Sequence, residues 1–214
     1  MNASFHPSDE MLVAYGAGSL DEATALLLST HMALCPRCRT EVARIETLGG
    51  ALLEDLAEAE MADDALATVL SRIKAPSPRV AATRERGPAF FPRPLRDYVT
   101  GDLDGLPWKR LGNGIEQIIF LQNRNIRARL LRIAAGVAVP EHGHAGTELT
   151  MALQGGFRDL GNSYGRGDVA TADCETVHSP AADRGETCIC LAVTDAPLKL
   201  TGLIGRLLNP FLDL

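Results

Sequence analysis

All five histidines of the chain fall into two sets with metal-ligand spacing, and the two sets differ in chemistry. His31, Cys35 and Cys38 form H-x3-C-x2-C with His6 upstream, whereas His142, His144 and Glu148 form H-x-H-x3-E, answered further along by His178. Thiolate with imidazole suits a closed, structural zinc site. Three imidazoles with one carboxylate suit zinc, manganese, iron or nickel, and such a site keeps positions open for water or a ligand. The expectation is therefore two centres: structural Zn2+ on His6, His31, Cys35 and Cys38, and a divalent metal, Zn2+ first, on His142, His144, Glu148 and His178.

Each spacing has a geometric reason. His31 and Cys35 are four apart at the end of a helix and share a face, while Cys38 lies past Pro36 at the start of the next helix. His6, ahead of the first helix, can then tie three helices together in a region too small for a large core of its own. A redox C-x2-C is the rival reading, but it belongs after a β-strand in a thioredoxin-like setting, which this sequence lacks. In the second set His142 and His144, two apart on extended chain, point the same way. Glu148 opens the next strand beyond a turn containing Gly146, and His178 must come from a different strand.

The elements needed to hold these residues can be read from periodicity. Ser8 is an N-cap ahead of Met11, Leu12 and Tyr15. Ser19 to Glu22 has the form of a capping box opening a helix through Ala25, Leu28 and His31. Pro36 closes that helix and opens another, with Val42, Ile45, Leu48, Leu52 and Leu56 on one face, Gly49-Gly50 as a point of kinking, and an acidic run from Glu54 to Glu60 after it. Leu66, Val69, Leu70 and Ile73 stripe a last short helix. The Pro- and Arg-rich stretch 75–96 has no period and reads as a tether that holds two halves apart without fixing their angle. Beyond Trp108, β-rich runs at Ile115–Leu121, Ile126–Ile133, Glu148–Leu153 and Thr187–Val193 alternate with Gly-rich turns, the pattern of an antiparallel sandwich or barrel. The fold class is thus α + β in two domains: a helical zinc-binding bundle at 1–74, a linker at 75–96 and a β-domain at 97–214.

Composition narrows the partners. The net charge of −6 opposes direct nucleic-acid binding, which needs clustered Lys and Arg. Residues 1–74 hold twelve Asp and Glu against five Lys and Arg, so the negative excess sits in the helical part, as solvated faces or as a surface for a basic protein. No apolar run nears the roughly 18 residues of a membrane span and no signal-peptide core is visible, so the expected address is the cytoplasm.

Gly136-x5-His142-x-His144-x3-Glu148-x6-Gly155 resembles the first cupin motif, and Gly167-Asp168 leading to His178 resembles the second, with Asp173, Glu175 and Ala182 departing from the usual residues. Over almost its whole length the chain resembles the zinc-containing anti-sigma factors of the ChrR type. The resemblance is carried by His6, the segment His31-Met-Ala-Leu-Cys35-Pro-Arg-Cys38, the cupin ligands and Cys188-Ile-Cys190-Leu-Ala. It implies a regulator, not an enzyme. The helical domain would sequester an extracytoplasmic-function sigma factor by occluding its polymerase-binding surfaces, and the cupin would support release in response to singlet oxygen and related oxidants. The alternative is an enzyme, a cupin dioxygenase or isomerase with an appended helical zinc module; a metal sensor fits less well.

Cys188 and Cys190 face one way on a strand, near the upper limit of disulfide reach, as small buried hydrophobes or as oxidant-sensitive thiols. Cys174 reads as structural, and Trp108 as packed at the edge of the β-domain.

Overall fold

The computed structural model describes residues 3–74, 90–123 and 126–196, and the backbone of 198–200. Four helices fill the N-terminal part: α1 (Asp9–Gly16), α2 (Glu22–Leu34), α3 (Pro36–Glu54) and α4 (Ala65–Lys74). Ser8 caps α1 as expected, its hydroxyl accepting the Met11 N–H at 3.3 Å. The cap of α2 differs from expectation. Asp21 accepts the Ala23 and Thr24 N–H groups at 2.9 and 3.0 Å, while the Ser19 hydroxyl turns back to the Ala14 carbonyl. A carboxylate one residue before the helix outcompetes a hydroxyl that the end of α1 already engages. Pro36 opens α3, which continues through Gly49-Gly50 to Glu54.

A short helix α5 (Arg93–Arg96) leads into the β-domain. Its strands are β1 (Lys109–Gly112), β2 (Ile115–Asn123), β3 (Ile126–Ile133), β4 (His142–His144), β5 (Glu148–Gln154), β6 (Phe157–Asp159), β7 (Asn162–Tyr164), β8 (Val169–Ala172), β9 (Val177–His178), β10 (Ala181–Ala182), β11 (Cys188–Thr194) and β12 (Leu198–Leu200). One antiparallel sheet runs β1-β2-β3-β11-β5-β8, and two three-stranded sheets, β10-β6-β7 and β12-β4-β9, complete the domain. This is the expected α + β arrangement, with helices first and an antiparallel cupin-type β-domain after.

The two parts are not held apart. Leu26, Leu27 and Leu28 of α2 join Leu130, Met151, Leu153, Ile189 and Leu191 of the large sheet in one continuous core. Seven residues of α2 are buried, among them Ala23, Thr30, His31 and Met32, so the helix is covered on nearly every side. A helix apolar all round belongs inside, and here α1 and α3, α5 and strands β3, β5 and β11 all pack on it. Of the tether, 75–89 lie outside the described residues. Phe91 and Leu95 are buried in the same core, and Tyr98 donates its hydroxyl proton to Glu22 at 2.8 Å. Truncating Leu27, fully buried between helix and sheet, is expected to cost about 3 kcal/mol, measurable by urea unfolding of Leu27→Ala against the parent chain.

Two candidate metal centres

The cupin-side cluster is built by strand pairing. His142 on β4 lies directly opposite His178 on β9, His144 follows on the same side of β4, and Glu148 opens β5. All four are buried. The Nε2 atoms converge, His178 lying 2.9 Å from His144 and 3.1 Å from His142. A tetrahedral ion with Zn–N bonds of roughly 2.0 Å separates its ligands by about 3.3 Å, so this spacing suits a small divalent cation.

The far ring nitrogens explain why the lone pairs point inward. The His142 Nδ1 donates to the Pro140 carbonyl at 2.8 Å, and the His178 Nδ1 contacts the Asp159 carboxylate at 2.6 Å. Bonds of this kind fix the tautomer and leave Nε2 free to coordinate. Burial holds His142 and His144 below the usual histidine range, so both stay neutral near pH 7 and present lone pairs, not charges. Asp159, on β6, escaped sequence reasoning because a lone carboxylate far from the motif has no spacing to betray it. The departures around the second motif are accommodated: the Asp173 carboxylate accepts from the Glu175 N–H and the Thr176 hydroxyl, closing the turn before His178. A cavity of about 640 Å³, walled by Ile115, Leu131, Val139 and Phe157, opens onto His142, Glu148 and His178. Its size and apolar walls suit a small organic ligand.

The N-terminal cluster uses the two ends expected of it. His31 lies in the last turn of α2, Cys35 links α2 to α3, Cys38 lies in the first turn of α3, and His6 precedes α1. The His6 Nδ1 lies 3.5 Å from the Cys35 sulfur and 3.4 Å from that of Cys38. A tetrahedral zinc with bonds of roughly 2.3 Å to sulfur and 2.0 Å to nitrogen gives about 3.5 Å. His31 donates from Nδ1 to the Gly167 carbonyl at 2.8 Å, and its buried Nε2 has no hydrogen-bond partner. That orphaned lone pair fits a metal ligand. Without a cation, burial and then the neighbouring Cys35 push the Cys38 thiol up to about 12, so thiolate at neutral pH requires a bound cation. Burial likewise holds His6 and His31 low. All eight residues singled out from sequence fall into two groups whose ligand atoms lie within 4.8 Å of one another.

The other cysteines divide differently. Cys188 and Cys190 are free, buried and 3.4 Å apart at sulfur, and Cys190 reaches the cavity wall. Their mutual hydrogen bond, then burial, pushes the Cys190 thiol well up, which favours packing over nucleophilic chemistry. Cys174 is exposed on a turn and has no place in the core, contrary to the structural reading. Trp108 does sit at the domain edge, its indole N–H on the Leu103 carbonyl and the Arg132 guanidinium 4.5 Å above the ring.

Residues 97–197 match the ChrR Cupin-like domain. The anti-sigma-E factor ChrR of Cereibacter sphaeroides is 43% identical over 211 residues, covering 99% of each chain. The chain belongs to the ChrR family of anti-sigma factors. Membership places it among regulators and not among enzymes, which removes the dioxygenase or isomerase alternative. Among solved structures, ChrR in the crystal structure of Rhodobacter sphaeroides SigE with the anti-sigma ChrR has a TM-score of 0.79 and 42% identity, covering 89% of this chain and 98% of that one. The helical region and the cupin thus occur together in the ChrR family, in the same order.

Proposed function

We propose that this protein is an anti-sigma factor that sequesters an extracytoplasmic-function sigma factor through residues 1–74, with 75–96 leading into a cupin at 97–214 that governs release. The observation that carries the reading is an apolar stripe that no described residue covers. Leu48, Leu52, Leu53 and Leu56 along and just past α3 are 62–69% exposed, and α4 buries none of its residues, leaving Leu66, Val69, Leu70 and Ile73 at 44–72%. Exposed aliphatic side chains repeated along two helices mark a surface that suits another protein. A sigma factor suits it because ChrR is solved in complex with SigE. No helix among the described residues is long and apolar enough to cross a membrane. The working compartment in this reading is the cytoplasm, where a sigma factor meets polymerase.

The metals divide the labour. Zn2+ on His6, His31, Cys35 and Cys38 supplies a crosslink that sets the angle between α1, α2 and α3. His142, His144, Glu148 and His178, three of which line the apolar cavity, would hold a divalent metal, Zn2+ first, which would supply a Lewis-acid centre there for the response to singlet oxygen and related oxidants. Replacing Glu148 with Gln or His178 with Ala is expected to lower bound metal by one ion per chain. Sigma capture should persist, while oxidant-triggered release should fail. Elemental analysis and a pull-down before and after photosensitised illumination read both. Release that proceeds normally from a chain without its cupin metal would rule out that centre as the trigger.

A further inference from the structure

The turn between β7 and β8 does more for the N-terminal cluster than the cupin motif requires. The Gly167 carbonyl receives the His31 Nδ1 proton. The next residue, Asp168, is buried at 6% exposure and accepts the backbone N–H groups of Ser4 and Phe5 through Oδ1, the latter at 3.0 Å. Its other oxygen accepts the Gly165 N–H at 2.8 Å and so braces the turn. The Phe5 carbonyl in turn accepts from Val169 at 3.2 Å, and the Phe5 ring lies 4.5 Å from that of Tyr164. Both backbone polar groups of Phe5 and its side chain are therefore held by the β-domain, one residue before His6. Gly167 takes φ of +95°, a left-handed backbone that side chains rarely adopt, so glycine is what lets the turn present its carbonyl to His31, while Leu34 of α2 packs at ordinary contact distance beside it.

We propose that Asp168 and Gly167 are positioning residues of the N-terminal metal centre, so that the cupin half orients two of its four ligands, His6 and His31. This rests on reading His6, His31, Cys35 and Cys38 as a metal site. Neither residue is among the four candidate ligands. Gly167 fixes the His31 tautomer, and Asp168 fixes the extended segment that delivers His6, whose freedom otherwise opposes binding. The centre becomes a joint between the halves, and a displacement of the β7–β8 turn is felt at the thiolates. Tyr164, at the foot of that turn, stacks 4.9 Å from Phe157 in the cavity wall, which gives the joint a physical link to the cupin interior.

Cobalt(II) titration of the full-length chain tests this, because thiolate-to-cobalt charge-transfer absorption reports the Cys35 and Cys38 site and not the site built on nitrogen and oxygen. Asp168→Ala is expected to weaken cobalt binding at the thiolate site about 10- to 100-fold, as loss of an orienting partner does. Asp168→Asn, which keeps an acceptor for the Ser4 and Phe5 N–H groups, should recover part of that loss. Phe5→Ala, which leaves the turn intact, should weaken the same band, and it carries the test if Asp168→Ala fails to fold by circular dichroism. A thiolate band that titrates as in the parent chain, in the folded variant, overturns the proposal. Absence of that band from the parent chain would overturn the metal-site reading itself, and this inference with it.

Discussion

Cys38→Ala is expected to abolish sigma capture, with loss of part of the helical signal. A structural zinc of this kind contributes roughly 10–16 kcal/mol near neutral pH, about as much as the entire net stability of a small domain, roughly 5–15 kcal/mol. Removing one thiolate also leaves the buried Nε2 of His31 without a partner, a further cost of about 1–3 kcal/mol. The loss should be uneven. The sheet still covers Leu26, Leu27 and Leu28, so α2 stays docked, while α1, α3 and the segment carrying His6 lose the crosslink that sets their angle. Far-UV circular dichroism should therefore show partial loss of helix, and titration calorimetry against the cognate sigma factor no measurable heat of binding. Full helical content with undiminished affinity would contradict the crosslinking role.

The second large effect falls on binding alone. Leu48→Asp combined with Leu52→Asp places two carboxylates on the exposed stripe of α3, where both side chains are more than 60% exposed. Little native packing is lost, so the unfolding midpoint should move by no more than the helix-propensity difference of about 0.5 kcal/mol per site. If each leucine is buried by the partner, each contributes about 1.5–3 kcal/mol, and the pair should weaken sigma binding at least a hundredfold. Unchanged affinity in a folded double variant would remove this stripe from the interface.

Much of the candidate site was legible in the chain because coordination chemistry imposes spacing. H-x-H-x3-E places two imidazoles on one side of β4 and a carboxylate at the start of β5, and H-x3-C-x2-C straddles Pro36 as the helices require. Strand β3 runs over the stretch Ile126–Ile133 marked out by its β-branched and aliphatic residues. What escaped was tertiary. The α2 sequence is apolar on every face, a sign of full burial, yet nothing local says that a sheet more than ninety residues later covers it. Asp159 and Asp168 act through partners distant in sequence, His178 and the Ser4–Phe5 backbone, and neither lies in a pattern that names its partner. At the start of α2, two adjacent acceptors competed, and the capping-box spacing of Ser19 and Glu22 did not reveal that Asp21 would win.

The role proposed for zinc on His6, His31, Cys35 and Cys38 is to shape the helices that hold the sigma factor. It is tested most directly in the full-length chain carrying His178→Ala, in which the thiolate cluster alone retains its complete ligand set, by measuring sigma affinity before chelation, after chelation and after zinc is returned. Capture should be lost on stripping and restored by a single equivalent of zinc. A stripped chain that binds the sigma factor as tightly as the loaded one would contradict it.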